Sequence, residues 1–338
     1  MKQTIRSTSR TVLRRGAAIA GLVSIAAISG CASSSEPVSG SPGEGALVVY
    51  SGDANADAYI AAFNEEHPDI KVDLITGNTG ELLSRVQSEA GKPQGDVYWA
   101  GGDPGLTNPE LFEKLPGRFQ DGILEEFRLE SGYGVPFNGF LNAFVYNTDL
   151  VDEDDAPQSW ADLADPQWQG KIYLANPTSS GSGYSAMSDW VTVGGWDLVE
   201  DIAKNIVVVE GTFAPFQAVT GGEAAIGIAN EGFLAYLETD NVEFVNPSDG
   251  AGITKQALLK IKDGPNPDNA ETFIEWLVSE DAQTLMTETQ PGARPVIDGL
   301  DASGVPALSD VEVIEQDGDA TAKHDEWVER WQEIITSL

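Results

Sequence analysis

Short apolar runs alternate with helix-period stripes along most of this chain, and that alternation permits few architectures. Residues 46–51 (ALVVYS) form an apolar run of the kind buried in parallel sheets. Tyr59, Ile60 and Phe63 follow at helix spacing, and Pro68 ends that helix. Ile70, Val72 and Leu74 alternate as a second strand. Leu82, Leu83 and Val86 mark a second helix opening at Thr79-Gly80, and residues 96–100 (DVYWA) make a third strand. The pattern resumes with strands at 141–147, 171–177, 224–230, 242–247 and 256–262. Helical stretches are expected at 269–286 and 324–337. Strands alternating with helices predict an α/β fold built on parallel strands.

Composition narrows the function. The 338 residues are 41% hydrophobic, enough for a large core and for two or three domains. Fifty-four acids against 19 bases give a net charge of −35, which excludes the basic face of a nucleic-acid binder. One Cys excludes a disulfide framework and multi-cysteine metal sites. No GxSxG or HExxH constellation is present. His67 and His324 lie at helix ends and read as surface residues. The acidic run 152–155 reads as a solvated loop with the composition of a calcium site.

Residues 1–30 read as an export signal. Five basic groups lie within the first 15 residues, and a 13-residue small and apolar stretch at 16–28 is too short to span a bilayer. The single Cys, Cys31, follows Ile28-Ser29-Gly30 and resembles the acylation site of bacterial lipoproteins. Residues 31–45 are then a lipidated Cys and a Ser/Gly/Pro-rich tether. Removing 1–30 takes away five positive charges and no negative ones, moving the net charge from −35 to −40. Such a surface repels anionic headgroups, so membrane attachment rests on the lipid.

Four loops carry ligand-binding chemistry. In 50–55 (YSGDAN), Ser51 and Gly52 follow a strand, where open α/β sheets hold ligands. In 76–82 (TGNTGEL), Thr79 and Gly80 open a helix whose free amides attract anions, unless Thr79 simply caps it. In 176–184 (NPTSSGSGY), Ser179, Ser180 and Ser182 supply hydroxyls, while Gly181 and Gly183 let consecutive amides converge on one centre. The lysine of a P-loop is missing there. In 228–233 (IANEGF), Glu231 can meet a ligand amine or hydroxyl, or cap a helix.

Together these motifs resemble the extracellular solute-binding proteins of ABC importers, in the branch that binds ferric iron, thiamine, phosphonates and sugar phosphates. The resemblance spans about 46–297 and rests on LVVYSG, TGNTGELLSRV, GDVYWAGG, FVYNTDL, SWADLADPQWQGKI, NPTSSGSGY, GEAAIGIAN, NPSDGAG and NPDNAETFIEWLVSEDAQ. It implies a two-lobed periplasmic-binding-protein type II fold, with the ligand cleft between lobes joined by two crossover strands. Lobe 1 is expected at 46–145, lobe 2 at 146–247, and the return to lobe 1 with the C-terminal helices at 248–338. It also implies a monomer without cofactor or catalysis, anchored by lipid outside the cytoplasmic membrane and partnered by a permease. Ferric binders of this family use adjacent tyrosines where this chain has Asn230-Glu231-Gly232-Phe233, with Tyr236 alone beyond. The histidine and acid of that family are replaced by the Asp53 region and Gly101-Gly102. The Ser-rich loop and NPSDGAG are more similar to binders of organophosphates or phosphonates. Ferric iron is the alternative cargo. Thiamine and its phosphates also fit an acid set among aromatics.

Overall fold

The computed structural model describes residues 45–315, 320 and 323–338. Cys31, the export signal and nearly all of the tether lie outside the described residues. Among the described residues, no helix is long and apolar enough to cross a membrane.

The first lobe grows from β1 (Leu47–Ser51), β2 (Val72–Thr76) and β3 (Val97–Gly101), which lie parallel in the order β2-β1-β3. Helices α1 (Ala56–Glu66) and α2 (Thr79–Glu89) make the crossovers. The short helix α3 (Pro104–Thr107) and the two-residue strand β4 (Phe112–Glu113) follow. The chain then enters β5 (Val135–Asn147), thirteen residues buried throughout. At 3.3 Å per residue this strand is about 43 Å long, enough to belong to two sheets. Its first half pairs with β10 (Ile253–Ile261) and its second half with β8 (Ile226–Asn230) and β9 (Val242–Val245). One crossover is therefore β5. The other is the return from β9 to β10, which lies antiparallel to β3.

The second lobe adds β6 (Ile172–Ala175) and β7 (Ile206–Val209), parallel to β8 in the order β8-β6-β7. Helices α4 (Gly181–Ala203) and α5 (Ala214–Thr220) connect these strands. Strand β7 was not anticipated, although Ile206-Val207-Val208-Val209 is a β-branched run. The helical stretch expected at 269–286 is two helices, α6 (Pro267–Leu277) and α7 (Glu280–Thr289). Ser279 divides them by capping α7 through its Oγ, which accepts from the Ala282 amide.

Each sheet is covered on both faces. In lobe 1, Tyr59, Phe63, Trp99, Phe137 and Phe273 pack on one side, and Tyr50, Tyr98, Leu82 and Val86 on the other. Burying each such side chain stabilises the fold by about 1.5–3 kcal/mol. The final helix, α8 (His324–Ser337), corrects the expected partition. Its Trp327, Trp331 and Ile334 share a core with Trp160, Trp190 and Ile202 of lobe 2, so the chain ends on the second lobe and not on the first. The reason is its apolar stripe, which needs a partner face, and α4 supplies one through Trp196, Val199 and Ile202.

Candidate functional site

The Ser-rich loop leaves β6 and enters α4 as the sequence predicts, but its donors are distributed differently. Asn176 organises the turn. Its Oδ1 accepts from the Thr178 amide at 3.0 Å, and its carbonyl accepts from the amides of Ser179 (3.0 Å) and Ser180 (2.8 Å). Ser180 is the N-cap of α4, and its Oγ accepts from the Gly183 amide at 3.3 Å. The amides of Ser180 and Gly183 are thus engaged. Those of Gly181 and Ser182, in the first turn, have no intrahelical acceptor because of where they stand in the helix. A Cβ on Gly181 would meet nothing within 4 Å, so this end of α4 is open. Gly183 serves packing instead. A Cβ there would lie 2.1 Å from the Ala175 carbonyl oxygen, so only glycine lets α4 start this close to β6.

The hydroxyls also divide. Ser179 donates to Glu210 Oε2 at 3.0 Å, and Asn176 Nδ2 donates to Glu210 Oε1 at 2.9 Å. These two bonds hold the exposed Glu210 carboxyl below the usual range. Ser180 Oγ lies 3.1 Å from Thr212 Oγ1 and 3.5 Å from Ser182 Oγ. The open donor set is therefore the Gly181 and Ser182 amides with the hydroxyls of Ser182, Ser180 and Thr212. No acid stands within the first turn of α4 itself; the nearest carboxylate, Glu210, is held by Ser179 and Asn176 just before the N-cap. Thr212 was missed because the strand before it was missed.

Helix α4 is tied to both crossovers. Asn142 of β5 donates from Nδ2 to Ser185 Oγ (2.9 Å) and Asp189 Oδ2 (2.8 Å). The Gly252 amide of the return segment donates to the same Asp189 oxygen at 2.9 Å. Ser185 Oγ lies 3.1 Å from Thr254 Oγ1 on β10. An anion on the first turn is thus one helical turn from residues gripping both crossover strands.

In lobe 1, the Gly52 amide is already engaged, and the Ser51 hydroxyl oxygen accepts a local bond. The Gly52 amide donates to the Trp99 carbonyl at 2.9 Å, and Ser51 Oγ accepts from the Asp53 amide at 3.0 Å. Both residues line a cavity of about 190 Å³ together with Asp53, Asp57, Thr76 and Gly77. At α2 the N-cap is Asn78, not Thr79. Asn78 Oδ1 accepts from the Glu81 amide at 2.9 Å, and Glu81 Oε2 accepts from the Asn78 amide at 3.1 Å. This capping box leaves the Thr79 and Gly80 amides open but sets a carboxylate beside them, so α2 suits an anion less well than α4.

Glu231 is not a free ligand group. Its side chain is 1% exposed, and Arg294, 3% exposed, meets it at 2.7 Å through both Nε and Nη2. The Leu141 amide and Asn246 Nδ2 donate to the same carboxylate. Packing around this pair is tight. Gly292 has φ +82°, and a Cβ on it would lie 2.0 Å from the Glu231 carbonyl oxygen. The NPSDGAG stretch is likewise structural. Asp249 accepts from the amides of Trp160 (2.9 Å) and Ala161 (3.0 Å), and the Gly250 carbonyl accepts from Trp160 Nε1 at 2.9 Å.

Comparison with known proteins accords with this geometry. Residues 58–317 match the family described as "Bacterial extracellular solute-binding protein". An uncharacterized protein of Haemophilus influenzae is 31% identical over 272 residues, covering 73% of this chain and 77% of that protein. Iron uptake protein A1 of Synechocystis is 27% identical over 321 residues, covering 86% and 87%. The fold is shared with the fructose-6-phosphate-bound periplasmic binding protein AfuA from Actinobacillus pleuropneumoniae. That structure has a TM-score of 0.74 and 24% identity, covering 87% of this chain and 99% of AfuA. The fold is the two-lobed periplasmic-binding-protein type II architecture, and the chain belongs to the family of bacterial extracellular solute-binding proteins.

Proposed function

We propose that this solute-binding protein captures a small anionic solute of the organophosphate, phosphonate or thiamine phosphate type and delivers it to an ABC permease. The observation that carries this reading is the open first turn of α4. Two amides without intrahelical acceptors converge there with the hydroxyls of Ser182, Ser180 and Thr212. Hydrogen bonds to a charged group contribute about 1.5–3 kcal/mol each, which offsets the repulsion from a chain of net charge −35 at short range. The protein performs no chemistry in this account; the lobes close on the solute as a hinge. Acylation of Cys31 anchors the monomer outside the cytoplasmic membrane. Thr79 and Gly80 stand as the secondary anion contact. Native mass spectrometry of the purified protein tests the reading: a co-purifying phosphorus-containing solute is expected, and a neutral solute contradicts it.

Ferric iron is the second reading. It is favoured by the relationship to iron uptake protein A1 and by two carboxylates, Asp53 and Asp57, on one cavity. Against it, Glu231 is consumed by Arg294 and stands where that family's tyrosines are expected. Equilibrium dialysis against labelled ferric citrate separates the two: iron retained by the protein favours the second reading, and none retained rules it out.

A further inference from the structure

Asn142 sits where three elements meet. It lies on β5 just beyond the residues paired with β10, opposite Asn230 of β8, and it is fully buried. Its Nδ2 donates to Ser185 Oγ at 2.9 Å and to Asp189 Oδ2 at 2.8 Å, both on α4. Its Oδ1 accepts from Thr254 Oγ1 of β10 at 3.2 Å, and Thr254 Oγ1 lies 3.1 Å from Ser185 Oγ. Asn142, Ser185 and Thr254 thus close a ring of hydrogen bonds, with one member on β5, one on α4 and one on β10. The Gly252 amide adds a further link by donating to Asp189 Oδ2 at 2.9 Å. Asn142 spends both amide hydrogens and its oxygen here, and a buried network satisfied in this way holds one geometry.

The strands are held less firmly on the lobe 1 side of this ring. Phe137 is an extra residue opposite the Gln256-Ala257 step, a bulge that interrupts the ladder between β5 and β10. Beside it Asn138 is fully buried, yet among the described residues neither its Oδ1 nor its Nδ2 has a hydrogen-bond partner. Gln256 Oε1, across the ladder from Asn138, has none either. On the other side of the ring, α4 stays helical from Gly181 until Gly195, where φ is +69°. Ser185 stands about 6 Å along that helix from Gly181, so the ring and the open first turn belong to one rigid segment.

We propose that Asn142 is a positioning residue for solute capture: its carboxamide fastens the anion-holding end of α4 to both crossover strands, so that α4 travels with them when the lobes close. This rests on the anion reading above. The strands bend at the bulge, where the ladder is interrupted and the carboxamides are unmet, while the ring carries Asn142, Thr254 and α4 as one body. Asn142 touches no solute in this account. It acts through the helix, and its contribution lies in holding the closed complex together rather than in first contact.

Stopped-flow tryptophan fluorescence of the full-length protein with inorganic phosphate, methylphosphonate and glycerol 3-phosphate tests this. Association rate constants of Asn142→Leu should match wild type, because the first turn of α4 keeps its donors. Dissociation should be at least about tenfold faster, because the closed complex is no longer held. Thr254→Val removes one hydroxyl from the ring, leaves both bonds to Asp189 in place, and should speed dissociation about threefold. Melting curves establish that each variant is folded, and Thr254→Val decides the matter where Asn142→Leu does not fold. A purely structural role would lower the melting temperature and leave both rates as in wild type. Wild-type dissociation in the folded variants, or a loss confined to association, overturns the positioning role and leaves the anion site standing. Failure of all three probes to bind the wild-type protein overturns the anion reading and this inference with it.

Discussion

Arg294 and Glu231 form a two-point ion pair, Nε to Oε2 and Nη2 to Oε1, both 2.7 Å, at the junction of the two sheets. Glu231 follows β8 in the second lobe, while Arg294 exchanges backbone hydrogen bonds with Gly139 on the lobe 1 half of β5. The pair fixes the site where the crossover strand changes sheets. A buried pair of this kind adds little net stability over an apolar pair, but losing one member strands a charge. Glu231→Gln or Arg294→Met should each cost about 3–5 kcal/mol in urea denaturation. Glu231→Leu with Arg294→Met together should cost less than either alone. Additive losses would contradict the pairing.

The Asp53 carboxyl should leave a signature in stability against pH. Burial pushes its pKa up to about 6 from 3.8, and hydrogen bonds from the Asn55 amide and the Gln256 and Gln290 side chains only partly oppose that. The folded protein therefore binds this proton more readily than the unfolded chain. Stability from this group is present near pH 4, is lost as pH rises towards 6, and is level above that. A shift of about two units corresponds to roughly 3 kcal/mol. Asn in its place can still accept the Asn55 amide, so Asp53→Asn should be more stable than wild type at pH 7–8, by up to about 3 kcal/mol. The advantage should shrink towards pH 4. A variant destabilised at both pH values would show that Asp53 is satisfied in the ligand-free protein.

Anchoring is tested separately at Cys31. Cys31→Ala should abolish acyl labelling, leaving the protein uncleaved or shed to the medium. Membrane-bound, acyl-labelled Cys31→Ala protein would rule out the lipoprotein assignment.

Local signals made the scaffold legible. Apolar runs and helix stripes located eight of the ten strands' neighbourhoods poorly at their ends but well in order, all except β4 and β7. β7 is only four residues long and follows α4 after two residues, so its run reads as the tail of a helix. The Asn78…Glu81 capping box was visible as N-x-x-E, yet Thr79 drew attention because it sits beside Gly80. The site was legible at the α4 loop because its cap, glycines and hydroxyls are contiguous in sequence. Glu231 was misread for the opposite reason. Its partner lies 63 residues away in a segment without periodicity, and nothing local announces that a carboxylate after a strand is already paired. Thr212 and Asp189 reach the site by tertiary packing alone.

The most direct test of the central claim is calorimetric titration of Ser182→Ala with the solute identified by native mass spectrometry, with Ser180→Ala as its companion. Ser182 has no capping role, so its loss should leave the melting temperature near wild type and weaken binding by about 1.5–3 kcal/mol, roughly ten- to a hundredfold. Ser180 caps α4, so its loss should weaken binding and also cost about 1 kcal/mol of stability. Wild-type affinity in Ser182→Ala would contradict an anion held at the first turn of α4.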